Sequence, residues 1–406
     1  MKFMEPIFER AGYRDARSVD APQTILIIHD GAAGDFVSMS AAIRELRRFY
    51  PDAHIILMAT HLAMNLAELC PYVDEVYPNT MPWGELPLAY QRNFSHCKFL
   101  LRRRIDVCYA FTHFPSTNIL AYMSGARERI SFEFGVDDSI KIETGLVYAT
   151  MPLLTVRVPL RLHGTHNIDK NLGLLDYTLH IPIKNREPEV WFSPMELAIV
   201  QKSFCKYLDD GDKMYALCMG GTRPSKKWSA ENYAGLIKMI LEHDPKTKIS
   251  IIGGGKADAA YAEVFQRTLG EKLSTAHIFD FTNNTSYRQS AAILSCCDMY
   301  IGNDTGTMHM AAAVKIPVLM PHYYAKDLPG DVHTALKIDY PYHVPSVVIQ
   351  PEHALDDCKG STTHYGCNVL DRPHCIRQIK IETVFRAYQS LKKRIAENIC
   401  EPLFVS

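Results

Sequence analysis

The chain has 406 residues, 47% hydrophobic and 22% charged, which is enough apolar surface for the cores of two domains. Its 44 basic and 45 acidic residues leave a formal net charge of −1, which excludes a protein devoted to coating nucleic acid. No apolar run is long enough to span a bilayer, and charges at Glu5, Glu9, Arg10, Arg14, Asp15 and Arg17 exclude a signal peptide, so a cytoplasmic protein is expected.

Thr24 to His29 is a short β-branched apolar run before Gly31 and predicts a buried parallel strand. Gly31 to Asp35 reads as a tight turn, followed by a helix over Phe36 to Tyr50 whose last turn carries Arg44, Arg47 and Arg48. A strand at His54 to Met58, a helix at Leu62 to Leu69 and strands at Glu75 to Tyr77 and Ile105 to Ala110 continue the alternation. His180 to Pro194, with three prolines and mixed charge, reads as a linker.

The pattern then restarts. Strand Lys213 to Cys218 leads through Gly220 and Gly221 to a helix at Ala230 to Glu242. Strand Lys248 to Ile252, the turn Gly253 to Gly255 and a helix at Ala257 to Leu269 follow. Asp298 to Ile301 is a strand, Asp304 to Gly306 a turn, Met308 to Val314 a helix and Ile316 to Met320 a closing strand. Ile381 to Asn398 is a helix with Val384, Ala387, Leu391 and Ile395 on one face. The division is 1–185, 186–379, and a final 380–406 helix that crosses back to the first domain. Open α/β sheets bind ligands at the carboxyl ends of their strands, so two doubly wound domains facing a central cleft are expected.

Chemistry concentrates in three turns. Thr305, Gly306 and Thr307 place amides and hydroxyls at a helix N-terminus, an anion site, with Asp304 beside it and His309 one turn in. The bland alternative is an aspartate cap with a core histidine. Gly220 to Trp228 follows a strand and supplies phosphate-type donors at Thr222, Arg223, Ser225 and Lys226 without the order of a Walker loop. A basic surface loop is its alternative. Asp35 follows Gly34 at the tip of the first strand-to-helix turn; a carboxylate there would repel phosphate, so it reads as a general base or a helix cap. The glycine fingerprint of a dehydrogenase is incomplete, since its third glycine is missing.

These residues carry a resemblance. The opening ILIIHDGAAGDFVSMSAAIRELRRFYPDAHI, then Lys226-Lys227-Trp228 with Glu231, Ile252-Gly253-Gly254, and Asn303-Asp304-Thr305-Gly306 with His309-Met310-Ala311-Ala312-Ala313 and Pro317 resemble the heptosyltransferases, glycosyltransferase family 9. The resemblance covers about residues 24 to 390 and departs at Asp30, which adds a second carboxylate, and over Tyr323 to Cys375. It implies a GT-B fold and an inverting, metal-independent transfer of a sugar, heptose from ADP-heptose, to an acceptor hydroxyl in lipopolysaccharide core assembly or another glycan or protein. It implies Asp35 as base with Gly34 on the acceptor side. It also implies that Lys226 and the Thr305–Gly306 turn hold the diphosphate, that Asp304 and His309 shape the donor site and that Asp258 binds ribose; the loop's own chemistry adds Thr222 as a donor to the diphosphate.

The other readings are a nucleotide-dependent dehydrogenase or epimerase, and a non-catalytic nucleotide-sugar-binding module indifferent to Asp35. No cofactor is expected beyond the nucleotide-sugar co-substrate. The eleven cysteines read as reduced thiols; Cys358, Cys367 and Cys375 with His364, His374 and Cys400 lack a CxxC pair, which leaves a structural metal as the weaker reading of that tail. Arg102-Arg103-Arg104 reads as a solvated face, or as a site for an anionic lipid or phosphorylated sugar acceptor; peripheral contact with the inner membrane is a separate expectation.

Overall fold

A computed structural model describes residues 21–79, 94–112, 114–133, 149–159, 166–221, 223–327, 338–356 and 374–406. The chain forms two compact units, Met1–Arg186 and Glu187–Ser406.

In the first unit, β1 (Thr24–Ile28), β2 (His54–Thr60), β3 (Glu75–Asn79), β4 (Val107–Ala110), β5 (Glu128–Glu133) and β6 (Val156–Pro159) form one parallel sheet in the order β3-β2-β1-β4-β5-β6. Between them run α1 (Ala33–Phe49), α2 (His61–Ala67), α3 (Phe94–Arg103) and α4 (Pro115–Met123), and α5 (Asn167–Leu179) follows the last strand. Ile25 to Ile28 are wholly buried, as an apolar run covered on both sheet faces must be. The ladder is tied at its start by Asp106, whose Oδ2 accepts the Gln23 and Thr24 amides at 2.9 and 3.0 Å.

The second unit holds α6 (Pro194–Phe204), β7 (Lys213–Cys218), α7 (Ala230–His243), β8 (Thr247–Ile251), α8 (Lys256–Leu269), α9 (Glu271–His277), β9 (Ile278–Asp280), α10 (Tyr287–Ser295), β10 (Met299–Gly302), α11 (Gly306–Ala313), β11 (Val318–Pro321), β12 (Ser346–Ile349), α12 (Ile381–Ala396) and β13 (Pro402–Val405). Its seven strands are parallel in the order β13-β12-β11-β10-β7-β8-β9. Leu217, Trp228, Tyr233, Ile237, Ile301, Val384 and Leu391 share its principal core. No helix among the described residues is long and apolar enough to cross a membrane.

The structure corrects three expectations. The first helix begins at Ala33, not Phe36, so Gly34 and Asp35 lie in its first turn; the Asp35 carboxylate accepts the Ala32 amide at 2.8 Å and starts the helix early. The linker ends at Ser193, whose side chain caps α6 at 3.1 Å, because Pro194 is well suited to a first helical turn. The 380–406 segment is built into the second unit's own sheet: α12 packs Val384, Phe385, Tyr388 and Leu391 into that core, and β13 pairs with β12.

Candidate active site

In each unit the strand order reverses beside the strand that opens it, between β1 and β4 and between β7 and β10. At such a point neighbouring crossovers leave in opposite directions, and the carboxyl ends of the two strands leave room for a ligand.

The second unit's switch point is the more densely built. After β7 the chain turns through Gly220 and Gly221 into a short 3-10 turn, Pro224–Lys226. After β10 it passes Asn303 and Asp304 into α11, with Thr305 as N-cap. Lys226 Nζ lies 2.6 Å from Asp304 Oδ2, so the pair joins the two strand ends. The two turns are bolted together by buried Asn303. Its Oδ1 accepts the Tyr233 hydroxyl at 2.8 Å and the Trp228 amide at 3.3 Å, while Nδ2 donates to the Met219 and Gly220 carbonyls at 2.8 and 3.1 Å.

Burial works against the Asp304 carboxylate, but the charge and hydrogen bond of Lys226, aided by the neighbouring His322 and His309 rings, outweigh it and hold its pKa below the usual range. Burial likewise opposes the Lys226 ammonium, and the Asp304 charge and hydrogen bond override it and raise its pKa. Both are therefore ionised at neutral pH. Around them the Thr305 hydroxyl meets that of Thr307 at 2.7 Å, and Thr307 donates to Cys218 Sγ at 3.0 Å. The first amides of α11 have no intrahelical acceptor, as at any helix start, and face an anion favourably.

The expected donor residues Lys226, Asp304, Thr305, Gly306 and His309 are brought together here; Thr222 lies outside the described residues. Asp258 stands in the first turn of α8, where its Oδ2 accepts the Gly254 amide at 3.0 Å and Oδ1 lies 3.7 Å from Lys227 Nζ. A Cβ on Gly220 would meet that carboxylate at 2.3 Å, so the glycine is what lets the β7 and β8 turns close on each other. His322 and Tyr323, just past β11, were not singled out from the sequence, although a His-Tyr-Tyr run after an apolar strand was a visible signal. Cys375 is buried against Ala325 and Ala354, and Cys358, Cys367 and His364 lie outside the described residues. Among the described residues no three His, Cys, Asp or Glu side chains form a metal-type cluster.

At the first unit's switch point Asp35 is exposed, and Gly34 is buried in the same helical turn. A Cβ on Gly31 would sit 2.8 Å from the Asp35 carboxylate, so a glycine is needed for Asp35 to fold back over the turn. The approach is fastened from three sides: Asn79 Nδ2 donates to the His29 carbonyl at 3.1 Å, the Thr60 hydroxyl to the Gly31 carbonyl at 2.6 Å, and Ser116 and Thr117 to Asp30 Oδ2 at 2.6 and 3.1 Å. Burial raises the Asp30 pKa, opposed by those two hydroxyls. Asp30, unlike Asp35, is committed to holding α4 on β1.

Two doubly wound parallel sheets in succession are the architecture of the GT-B fold. The pattern of glycosyltransferase family 9 (heptosyltransferase) matches residues 137–321. The lipopolysaccharide heptosyltransferase 2 of Escherichia coli K12 is 23% identical over 296 residues, covering 73% of this chain and 81% of that protein. A family 9 glycosyltransferase from Veillonella parvula superposes with a TM-score of 0.67 at 17% identity, covering 91% of this chain and 97% of that one. The E. coli ADP-heptose lps heptosyltransferase II does so at 0.66 and 18% identity, covering 92% and 99%. Residues 137–321 thus carry the heptosyltransferase pattern, over 73% of its length the chain is similar to a lipopolysaccharide heptosyltransferase, and it is a glycosyltransferase.

Proposed function

We propose that this protein transfers heptose from ADP-heptose to a hydroxyl of a lipopolysaccharide core precursor, with inversion at the anomeric carbon and without a metal ion. The donor assignment draws on the proteins it resembles, one of which is the E. coli ADP-heptose lps heptosyltransferase II. In this reading Asp35 takes the proton of the acceptor hydroxyl as its oxygen attacks the anomeric carbon. The bond to the diphosphate breaks on the opposite face, and Lys226 with the first amides of α11 receives the charge that develops on the leaving oxygen. His309 and Asp304 border the donor, and the basic Arg102 to Arg104 segment is the candidate contact with an anionic acceptor at the inner face of a membrane. Of that segment Arg103 is paired with Glu75 at 2.7 Å, and Arg102 and Arg104 are exposed. A cytoplasmic location belongs to the same reading.

The observation that carries it is the Lys226–Asp304 pair, 2.6 Å apart between the two strand ends at the foot of a helix N-terminus. A lysine with one N–H committed to a carboxylate keeps two donors for a diphosphate. Lys226→Gln retains a donor to Asp304 and removes the charge. ADP affinity, measured by calorimetry, is expected to fall by about 1.5–3 kcal/mol, the size of a hydrogen bond to a charged group. Unchanged ADP affinity would remove Lys226 from the donor site and this reading with it.

A further inference from the structure

The donor reading leaves one group at the second switch point without a task. His322 follows β11 directly and is 3% exposed. Its own amide donates to the Ile349 carbonyl at 2.7 Å, fixing the backbone to β12. Its Nδ1 accepts the Tyr324 amide at 3.2 Å, and the Tyr324 carbonyl accepts from Gln350 Nε2 at 3.1 Å. An imidazole that accepts at Nδ1 carries its proton at Nε2 when neutral. That nitrogen lies 3.8 Å from Asp304 Oδ2, the same oxygen that Lys226 contacts. The distance is too long for a hydrogen bond but short enough for the field of an Nε2–H dipole to act on a buried carboxylate. The next residue completes the enclosure: the Tyr323 ring lies 5.1 Å from Lys226 Nζ, and the His322 and Tyr323 rings stack at 4.5 Å.

Asp304 thus meets two groups of different character. Lys226 neutralises it, and His322 offers an uncharged N–H, since burial pushes its pKa down to about 4 against the pull of Asp304. When a diphosphate arrives, it competes with Asp304 for the lysine. A carboxylate held by the lysine alone would lose its counter-charge in proportion. One that also has an N–H dipole fixed on it stays in place while the lysine turns part of its charge to the new anion.

We propose that His322 is a positioning residue for the nucleotide diphosphate: its Nε2–H steadies the Asp304 carboxylate so that Lys226 can serve the donor. This inference rests on the donor reading of Lys226 and deepens it by adding a residue that touches no substrate.

The test uses the full chain with ADP as probe and ADP-heptose as donor. In His322→Ala, ADP affinity is expected to fall about tenfold and the donor KM to rise by a similar factor, with kcat changed by less than about threefold, because only a donor-side contact is lost. His322→Gln, which returns an N–H near the Nε2 position, should recover most of the affinity. Combined with Lys226→Gln, His322→Ala should add little further loss, since the histidine acts through the lysine. Three results overturn the inference while leaving the donor reading intact. One is Lys226→Gln weakening ADP while His322→Ala does not. A second is His322→Ala and His322→Gln failing alike with a lowered melting temperature. The third is full additivity of the two losses. If neither variant alters ADP affinity, the donor reading itself fails, and the inference falls with it.

Discussion

At Asp35 one carboxylate is both a helix-starting acceptor for the Ala32 amide and an exposed acid at a switch point. Asn at this position keeps an oxygen for the amide and loses the capacity to take a proton. Asp35→Asn is therefore expected to melt and bind ADP like the wild type while turnover falls roughly 10²–10⁴-fold, the span of a lost general base. Initial rates at saturating donor, run beside thermal melts, check it; wild-type turnover would reduce Asp35 to a cap. His29 makes a second case. It is buried, neither ring nitrogen has a well-formed hydrogen bond among the described residues, and burial pushes its pKa from 6.5 to about 4, against the charge of Asp35 and a backbone contact at Ala32. The folded pKa lies below the unfolded one, so between these values the unfolded chain binds more protons and stability drops as pH falls. A single histidine contributes up to about 1.4 kcal/mol per pH unit in that window. His29→Leu should melt close to the wild type at pH 8 and above it at pH 5; parallel decline of the two proteins would show that His29 is not held neutral. The positions of Asp35, Lys226 and Asp304 were legible in the sequence because each follows an apolar strand closely and either precedes or opens a helix. His322 was not, because its role depends on β10 and β11 lying side by side, a pairing that spacing does not reveal.

The elements around the donor turn depend on Asn303. Four hydrogen bonds converge on its side chain, from Tyr233 and Trp228 and to Met219 and Gly220, and they link α7, the phosphate-type loop and the end of β10. Asn303→Ala leaves several buried polar groups without a partner, and a loss of about 2–4 kcal/mol is expected in urea unfolding. A loss below about 1 kcal/mol would mean that these elements hold together by packing alone. The long elements were readable: α1, α7, α8 and α12 show helical periodicity, and β1, β4, β7 and β10 are short apolar runs ending in turns. The three-residue β9, and β12 and β13, were not. Ser346–Ile349 and Pro402–Val405 are four-residue runs without the glycine turn and helical pattern that follow β7 and β10, and only their neighbours make them strands. α6 was hidden for another reason: the proline that opens it was read as the end of a linker.

At the scale of the molecule, the two half-folds divide the proposed reaction between a base in the first unit and charge stabilisation in the second. Loss of a nucleotide diphosphate needs positive charge at the leaving oxygen, which a divalent cation or the protein can provide. Here the protein's own supply is specific. Lys226 is held charged by Asp304, Arg223 adds its field to the same place, and α11 begins at Thr305 with its positive end directed at that point. A cation bridging the phosphates would repeat what these groups already do and would be repelled by Lys226. Turnover is therefore expected to be the same within about twofold in EDTA as in Mg²⁺. The measurement is the initial rate after exhaustive chelation, with a melt on the same sample. A rate lost in EDTA and restored by Mg²⁺ or Mn²⁺, with the melt unchanged, would place a cation on the diphosphate and reduce Lys226 to its partner. A rate lost together with a lower melting temperature would instead locate a metal in the fold. The cysteine- and histidine-bearing segment up to Cys375 would then be the place to look, through single Cys→Ser variants and metal analysis of the purified chain.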